Sequence, residues 1–180
     1  MNRIVLSILL LVGSLSLAAT DIKDVFTAMP DSVLPTLSRN NRLDMIDFVL
    51  SGMKAEVNDV FDEKSTLDTL TADYLHITLS EAVKVEMKLL PSSRQLADST
   101  DHVVCVVMTY GIKPIESNVQ LFTSKWTPLP SPIPSLGNQV ASLSEVSDTL
   151  SLEVTSRNEE NKEEKRLTLL KWNGVEFNKN

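Results

Sequence analysis

The sequence predicts an α+β fold in which N-terminal helices pack on a mostly antiparallel meander sheet of about six strands. Apolar residues recur at helical spacing between residues 21 and 53, and beyond Ser65 they alternate with polar residues, as in half-buried strands. Most connections between the predicted strands have hairpin length, which favours antiparallel neighbours because a parallel crossover needs roughly a dozen residues.

Residues 1–19 have the organisation of a secretory signal peptide, with Arg3 before an apolar run and small residues after it. We expect cleavage near Ala18 or Ala19, a periplasmic or extracellular location, and no stable membrane span after cleavage. A retained N-terminal anchor is the alternative, but no stop-transfer segment follows the apolar run.

The composition argues against non-specific nucleic-acid binding. The chain has 17 Lys and Arg against 24 Asp and Glu, and losing Arg3 changes the net charge from -7 to -7 - 1 = -8 for residues 20–180. A phosphate-binding face needs a basic cluster, which this chain lacks. Cys105 is the only cysteine, so the chain has no intrachain disulfide. We expect residues 20–180 to form a single α+β domain held together by its core.

Three helical segments are predicted before residue 54. Asp21 is the expected N-cap of the first, Pro30 ends it, and a short turn follows. Asn41, with Asp44 three residues later, is the expected cap of the last helix. The predicted apolar faces of these two helices are Ile22, Val25, Phe26 and Met29, and Leu43, Ile46, Val49, Leu50 and Met53.

The predicted strands differ in how they are covered. The run from Val103 to Met108 lacks alternation and predicts a central strand buried on both faces. The strand from Val83 to Leu89 alternates, so its face with Lys84, Glu86 and Lys88 is predicted to meet solvent. The other predicted strands are Leu75–Leu79, Asn118–Trp126, Leu150–Thr155 and Arg166–Trp172, and the last is followed by a hairpin turn at Asn173 and Gly174.

Residues able to carry catalysis or to hold a metal ion are scattered. His76 and His102 have no second ligand at helical spacing, so exposed histidines are expected rather than a zinc ligand or a catalytic base. Cys105 is predicted to be a buried thiol and not a nucleophile. Asp44 and Asp47 on one helix face, and Glu159, Glu160, Glu163 and Glu164 at one hairpin tip, indicate solvated surface, with weak cation binding as the alternative. We therefore predict no catalytic residue, no metal and no cofactor.

Two neighbouring features are candidates for partner binding. Phe122 and Trp126 lie on one side of their predicted strand, where they are either core residues or an exposed aromatic patch. The segment 127–137 follows, with prolines at every second position from Pro128, and is predicted to be an extended loop. The candidate partner-binding residues are Phe122, Trp126, Pro130, Pro132 and Pro134.

Short stretches of the sequence resemble a family of uncharacterised secreted proteins from Bacteroidales. They are Met29 to Ser32, Leu34 and Pro35, Asn40 to Asp44, Leu70, Thr71, Asp73 to Leu75, Val85 to Leu90, Thr109, Pro114, Ser117 and Trp126. The resemblance implies an exported protein and no particular activity. It also implies O-glycosylation where an acidic residue precedes Ser or Thr and then an apolar residue or Thr; the matching positions are Ser32, Thr69, Ser99 and Thr149.

The favoured interpretation is a secreted or periplasmic, non-enzymatic binding or cell-envelope accessory protein. Its expected partner is a protein, peptide or glycan of the envelope. Two alternatives stay open: a hydrolase without a readable motif, and an enzyme inhibitor that presents the proline-rich loop 127–137 to an enzyme's cleft.

Overall fold

The computed structural model describes residues 20–93, 102–113, 115–130, 133, 139–157 and 163–179. The predicted signal peptide therefore lies outside the described residues. The described helices are α1 (Ile22–Thr27) and α2 (Arg39–Leu50). The described strands are β1 (Glu56–Asn58), β2 (Lys64–Leu70), β3 (Tyr74–Ser80), β4 (Val83–Pro91), β5 (His102–Tyr110), β6 (Glu116–Thr123), β7 (Pro128–Leu129), β8 (Gln139–Leu143), β9 (Thr149–Arg157), β10 (Glu163–Trp172) and β11 (Phe177–Lys179).

Strands β1 to β7 form one antiparallel sheet in which every strand pairs with its neighbours in the sequence. The predicted α+β meander is thus confirmed. Strand β5 lies between β4 and β6, and its residues Val103 to Val107 are all at most 3% exposed. The unbroken apolar run of β5 is explained by this burial on both faces.

Alternate residues of β5 belong to two separate hydrophobic cores. Val104 and Val106 pack with the helices in the first core, and Trp126 belongs to the same core. Val103, Cys105 and Val107 lie in the second core, on the other face of the sheet. The protein therefore has three layers, with the seven-stranded sheet in the middle.

The structure adds a second sheet to the predicted meander. Strands β8 to β11 form a separate antiparallel sheet in the order β11, β10, β9, β8, and β8 contacts β4, β5 and β6. Leu150, Leu170 and Trp172 close the second core from this sheet. Strands β8 to β11 pack on the second face of the first sheet, and this packing removes the apolar side chains of β5 and β6 on that face from water.

This cover also changes the assignment of β4. Lys84 is exposed as predicted, but Lys88 on the same face is only 1% exposed, because the second sheet lies over that end of the strand. Glu86 between them is partly buried. Alternation predicted that all three side chains meet solvent, whereas Lys88 lies between the two sheets and Glu86 is partly covered by the second sheet.

The helices also differ from their predicted caps and faces. Ser38, not Asn41, caps α2, and Asn41 is the third residue of a capping box with Ser38. Leu50 and Met53, assigned to the apolar stripe, are 66% and 54% exposed. The buried face of α2 includes Arg42, whose guanidinium donates to the main-chain oxygens of Met29 and Leu37 and to the carboxylate of Asp31.

Two contacts attach the second sheet to the end of β4. Trp172 Nε1 donates to the carbonyl oxygen of Pro91 at 2.6 Å. The backbone N–H of Ser93 donates to the carbonyl oxygen of Gly174 at 3.0 Å, in the turn between β10 and β11. That turn contains four residues between the paired Trp172 and Phe177, so the predicted hairpin at Asn173 and Gly174 is confirmed.

Candidate functional site

One end of the seven-stranded sheet collects three of its turns. In an antiparallel meander alternate turns lie at the same end, so the β1–β2, β3–β4 and β5–β6 turns are neighbours. A hydrogen bond from the Gly111 N–H to the Ala82 carbonyl oxygen, 2.8 Å long, connects two of them. We refer to this edge of the molecule as the turn end.

Five large apolar side chains are exposed at the turn end. Val60 and Phe61 are 53% and 71% exposed, and they form one cluster in the β1–β2 turn. Tyr110, Ile112 and Ile115 form the second cluster around the β5–β6 turn, where Ile112 is 63% exposed. The centres of the two turns are roughly 19 Å apart, four strand spacings along the sheet edge. Exposed apolar groups of this kind mark interaction surfaces more often than isolated ones do.

The β1–β2 tip, defined as residues 59–63, holds its apolar pair in a fixed backbone. The carboxylate of Asp59 accepts hydrogen bonds from the N–H groups of Phe61 and Glu63, at 2.8 and 3.0 Å. The carboxylate of Asp62 accepts one from the side chain of Asn58, and Asp62 has a φ of +64°. A rigid backbone lowers the entropy that would be lost on binding a partner.

The tip is also acidic. Asp59, Asp62 and Glu63 surround Val60 and Phe61, and the next residue, Lys64, is engaged in an ion pair with Glu56. Hydrogen bonds from Lys54 and Lys64 lower the pKa of Glu56 to about 2, so its charge persists at all ordinary pH values. A partner that contacts the tip must therefore meet an apolar pair between carboxylates.

The polar residues between the two sheets form a second cluster, which joins the sheets. The carboxylate of Glu86 on β4 accepts hydrogen bonds from the Tyr74 hydroxyl, the Ser142 hydroxyl and the Leu143 N–H. Lys88 Nζ lies 3.1 Å from a carboxylate oxygen of Asp73. It also donates at 3.0 Å to the carbonyl oxygen of Glu145, in the turn between β8 and β9.

This inner cluster holds its hydroxyl and the nearby thiol in their protonated forms. Burial, followed by the charge of Glu86, raises the pKa of the Tyr74 hydroxyl. The same two causes raise the pKa of the fully buried Cys105 thiol. Neither group is an activated nucleophile, because nucleophiles need a lowered pKa or an adjacent base. The role that these contacts support is structural: they attach one sheet to the other.

Phe122 and Trp126 do not form an exposed aromatic patch. They are 6% and 5% exposed in the first core, with ring centroids 5.3 Å apart. Trp126 Nε1 donates to the carbonyl oxygen of Val25 on α1, and Trp126 has a φ of +67° in the turn between β6 and β7. These two residues are therefore core residues, and their assignment to partner binding is corrected.

The proline-rich segment is only partly an irregular loop. Pro128 and Leu129 pair with β6 as the two-residue edge strand β7, which suits a proline because an edge strand leaves some N–H groups unused. Pro130 is exposed. Pro132 and Pro134 lie outside the described residues, so their role in binding stays a prediction.

The predicted glycosylation positions have different settings. Ser32 is exposed in the turn before α2, whereas Thr69 on β2 and Thr149 on β9 are partly buried. Ser99 lies outside the described residues. An oligosaccharide needs an accessible hydroxyl, so Ser32 is the described position that best meets this requirement.

The residues considered for metal binding are not brought together in the described ranges. His76 Nδ1 lies 3.1 Å from a carboxylate oxygen of Asp68, and His102 is on a different strand, β5. Asp44 and Asp47 are exposed on α2, and of the acidic segment 159–164 only Glu163 and Glu164 are described. Among the described residues, no group of three His, Cys, Asp or Glu could hold a metal ion.

Sequence reasoning missed the turn end. The stretch Asn58 to Glu63 contains a pattern that could have predicted exposed apolar residues: two large apolar residues lie between acidic residues in a segment rich in turn-forming residues. The stretch Tyr110 to Ile115 has apolar residues around Gly111 in the same way. Periodicity identifies strands and helices, and it gives no weight to apolar residues within turns.

Comparisons with known proteins agree with this fold. A solved structure, a domain of an uncharacterised protein from Porphyromonas gingivalis W83, is similar with a TM-score of 0.70 and 23% sequence identity. The similarity covers 91% of this chain and 99% of that one, and it concerns the fold alone. No curated protein matches the chain. Neither described helix is long and apolar enough to cross a membrane. The family model for a protein of unknown function, DUF3256, matches residues 14–160, and the chain belongs to that family.

Proposed function

We propose that the protein is exported to the cell envelope and acts there as a non-enzymatic binding module, with the turn end as its contact surface. The observation that supports this proposal most directly is the exposure of Phe61, which is 71% exposed on a hairpin whose backbone is fixed by hydrogen bonds. An exposed Phe contributes little to folding, because the hydrophobic effect requires the removal of apolar area from water. A rigid display of such a side chain supports contact with another molecule.

Export is supported by the sequence of residues 1–19, with Arg3 before an apolar run and small residues near Ala19. Mass spectrometry of the native envelope protein should give a new N-terminus between Ala19 and Asp21. Envelope protein that retains Met1 would contradict export with cleavage. The same intact mass tests O-glycosylation at Ser32, Thr69, Ser99 and Thr149 together, because the mass of the bare polypeptide would exclude it at all four.

Binding at the turn end can be tested with a photo-crosslinking amino acid placed at one position at a time in cells. Phe61 and Ile112 are the test positions, and Lys125 is the control, exposed in the β6–β7 turn at the opposite end of the sheet. We expect discrete adducts from Phe61 or Ile112 and none from Lys125. Equal adducts from all three positions would contradict a specific contact surface at the turn end.

A further inference from the structure

One side of strand β10 is an open sheet edge. Within the described residues, β8 pairs with β9 from Leu150 to Val154, and β11 pairs with β10 from Leu170 to Trp172. The residues from Glu163 to Leu167 are exposed, whichever face of the strand they occupy. We call these five residues the open edge of β10. A pair of strands without further neighbours is marginally stable in water, so a strand added here would stabilise this part of the sheet.

The hydrogen-bonding groups of this edge alternate along the strand. The N–H of Trp172 donates to the carbonyl oxygen of Asp148 at 2.8 Å, in line with the pairing of β10 and β9. That pairing has one continuous register, so the even-numbered residues of β10 face β9 and the odd-numbered residues face away from it. The outward N–H and carbonyl groups of the open edge therefore belong to Glu163, Lys165 and Leu167.

We infer that the open edge of β10 pairs with the same edge of a second copy of this chain, antiparallel, about a two-fold axis at Lys165. In this register Lys165 faces Lys165 of the second copy, and Glu163 faces Leu167 in both directions. Each facing pair exchanges two backbone hydrogen bonds, and the two second sheets become one. The contact is isologous, so it stops at a dimer. It uses no residue of the turn end and does not depend on the proposed function.

The charges along the open edge favour a second copy in this register. Glu164 lies opposite Arg166 of the second copy, and Arg166 lies opposite Glu164, so unlike charges meet on both sides of the axis. Moving the axis one residue along the strand would place Glu164 opposite Glu164, or Arg166 opposite Arg166. Of the antiparallel registers, only the one centred on Lys165 pairs the three outward residues with one another.

The residues on the outer face tolerate this arrangement. The ammonium of Lys165 lies 2.7 Å from the carboxylate of Glu153 on β9, so each lysine reaches the axis with its own counter-charge. Leu167, which is 64% exposed, lies beside the methylene groups of Lys165 of the second copy. The contact is smaller than the roughly 1,200 Å² of a stable interface, so we expect a dissociation constant on the order of 0.1 mM.

Sedimentation of the mature chain, residues 20–180, over a concentration series that reaches the millimolar range tests the dimer. We expect the average mass to rise toward that of a dimer and no further. Lys165→Pro should stay monomeric because it removes the donor at the axis, and it breaks no bond to β9 because that N–H faces away. The matched variant Lys165→Met keeps the N–H and should dimerise at least as tightly as the wild type. A monomeric wild type, or a dimer of Lys165→Pro as tight as the wild type, would overturn the inference.

Exchanging the charges tests the register. Glu164→Arg and Arg166→Glu each turn both unlike pairs into like pairs, so each variant should dimerise about tenfold more weakly or worse. In an equimolar mixture each variant supplies the charge that the other lacks, and dimers should form as in the wild type. The chain with both substitutions should also dimerise like the wild type, which shows that the substitutions do not prevent folding. Failure of both the mixture and the double variant to recover would refute this register.

A disulfide trap tests the position of the axis directly. Facing residues of this kind have Cα atoms about 5.5 Å apart, which suits a disulfide, so Lys165→Cys should give a covalent dimer on mild oxidation. Lys171→Cys is the control, because Lys171 is also exposed but lies roughly 20 Å from the axis along the strand. The native Cys105 is buried and should not contribute. No covalent dimer of Lys165→Cys, or equal yields from the two variants, would refute the axis at Lys165.

Discussion

Replacing Gly174 with Ala should measure how tightly the second sheet is attached to the first. Gly174 has a φ of +95°, and an added Cβ would lie 2.8 Å from Oγ and 3.1 Å from Cβ of Ser93. Gly52 is the matched control, because its φ is +68° and a Cβ there would meet nothing within 4 Å. Both substitutions place an L-residue at positive φ, but +68° lies within the left-handed region that L-residues can adopt and +95° lies beyond it. Only Gly174→Ala also adds a contact between the sheets.

The magnitudes follow from these contacts. Left-handed backbone costs an L-residue about 1–2 kcal/mol, and the smaller unfolded-state entropy of Ala returns about 0.4–1 kcal/mol. Gly52→Ala should therefore destabilise by about 1 kcal/mol. Gly174→Ala should destabilise by about 2–3 kcal/mol, since the Ser93 contact and the weakened hydrogen bond from Ser93 N–H add about 1–2 kcal/mol.

Urea unfolding followed by tryptophan fluorescence is a suitable assay, because Trp126 reports on the first core and Trp172 on the second. Repeating Gly174→Ala in a Ser93→Gly background completes a double-mutant cycle. The cost of Gly174→Ala should fall by about 1–2 kcal/mol in that background. A coupling energy near zero, or equal costs at Gly52 and Gly174, would refute the close approach of the β10–β11 turn to the end of β4.

Two further predictions concern single titratable groups. Cys105 should resist thiol reagents in the native protein and react on unfolding, because burial removes access and raises the pKa of its thiol; rapid native labelling would refute its place in the second core. For Glu56, whose pKa is lowered to about 2, NMR titration should show the carboxyl protonating near that pH, and in Lys64→Met at a higher pH. Because the pKa of Glu56 is lower in the folded protein, its ion pairs stabilise the fold above pH 4.5, the ordinary pKa of a glutamate side chain. This contribution is lost as the pH falls toward 2. An unchanged titration of Glu56 in Lys64→Met would refute the pairing.

The proposed location and the proposed contact surface rest on different kinds of observation. The proposal of export to the envelope rests on residues 1–19. The surface comes from the exposure of Phe61 and of Ile112 in turns that the meander brings to one end. An envelope protein with its contact residues on turns can change those residues with little cost to its core, because the turns contribute few buried contacts.

Local pattern was sufficient for much of the fold. The apolar run Val103 to Met108 predicted a strand covered on both faces, since a half-exposed strand would alternate. Asp21 was predicted as the cap of α1 and does accept from the Lys23 N–H. Short connections predicted antiparallel neighbours, and the seven-stranded sheet has them. Each of these features depends on residues close together in the sequence, so the sequence alone determined them.

Tertiary structure decided which surfaces the elements cover. Alternation in β4 indicated one polar face, but only the arrival of the second sheet, more than fifty residues later in the chain, buries Lys88 beneath it. The same long-range packing placed Trp126 against Val25, which made a candidate binding residue part of the core. Phe61 is the converse case, an apolar residue that no distant element in the described part of the chain covers. Burial is a property of non-local contacts, and a periodic pattern states only that a face is apolar, not what lies over it.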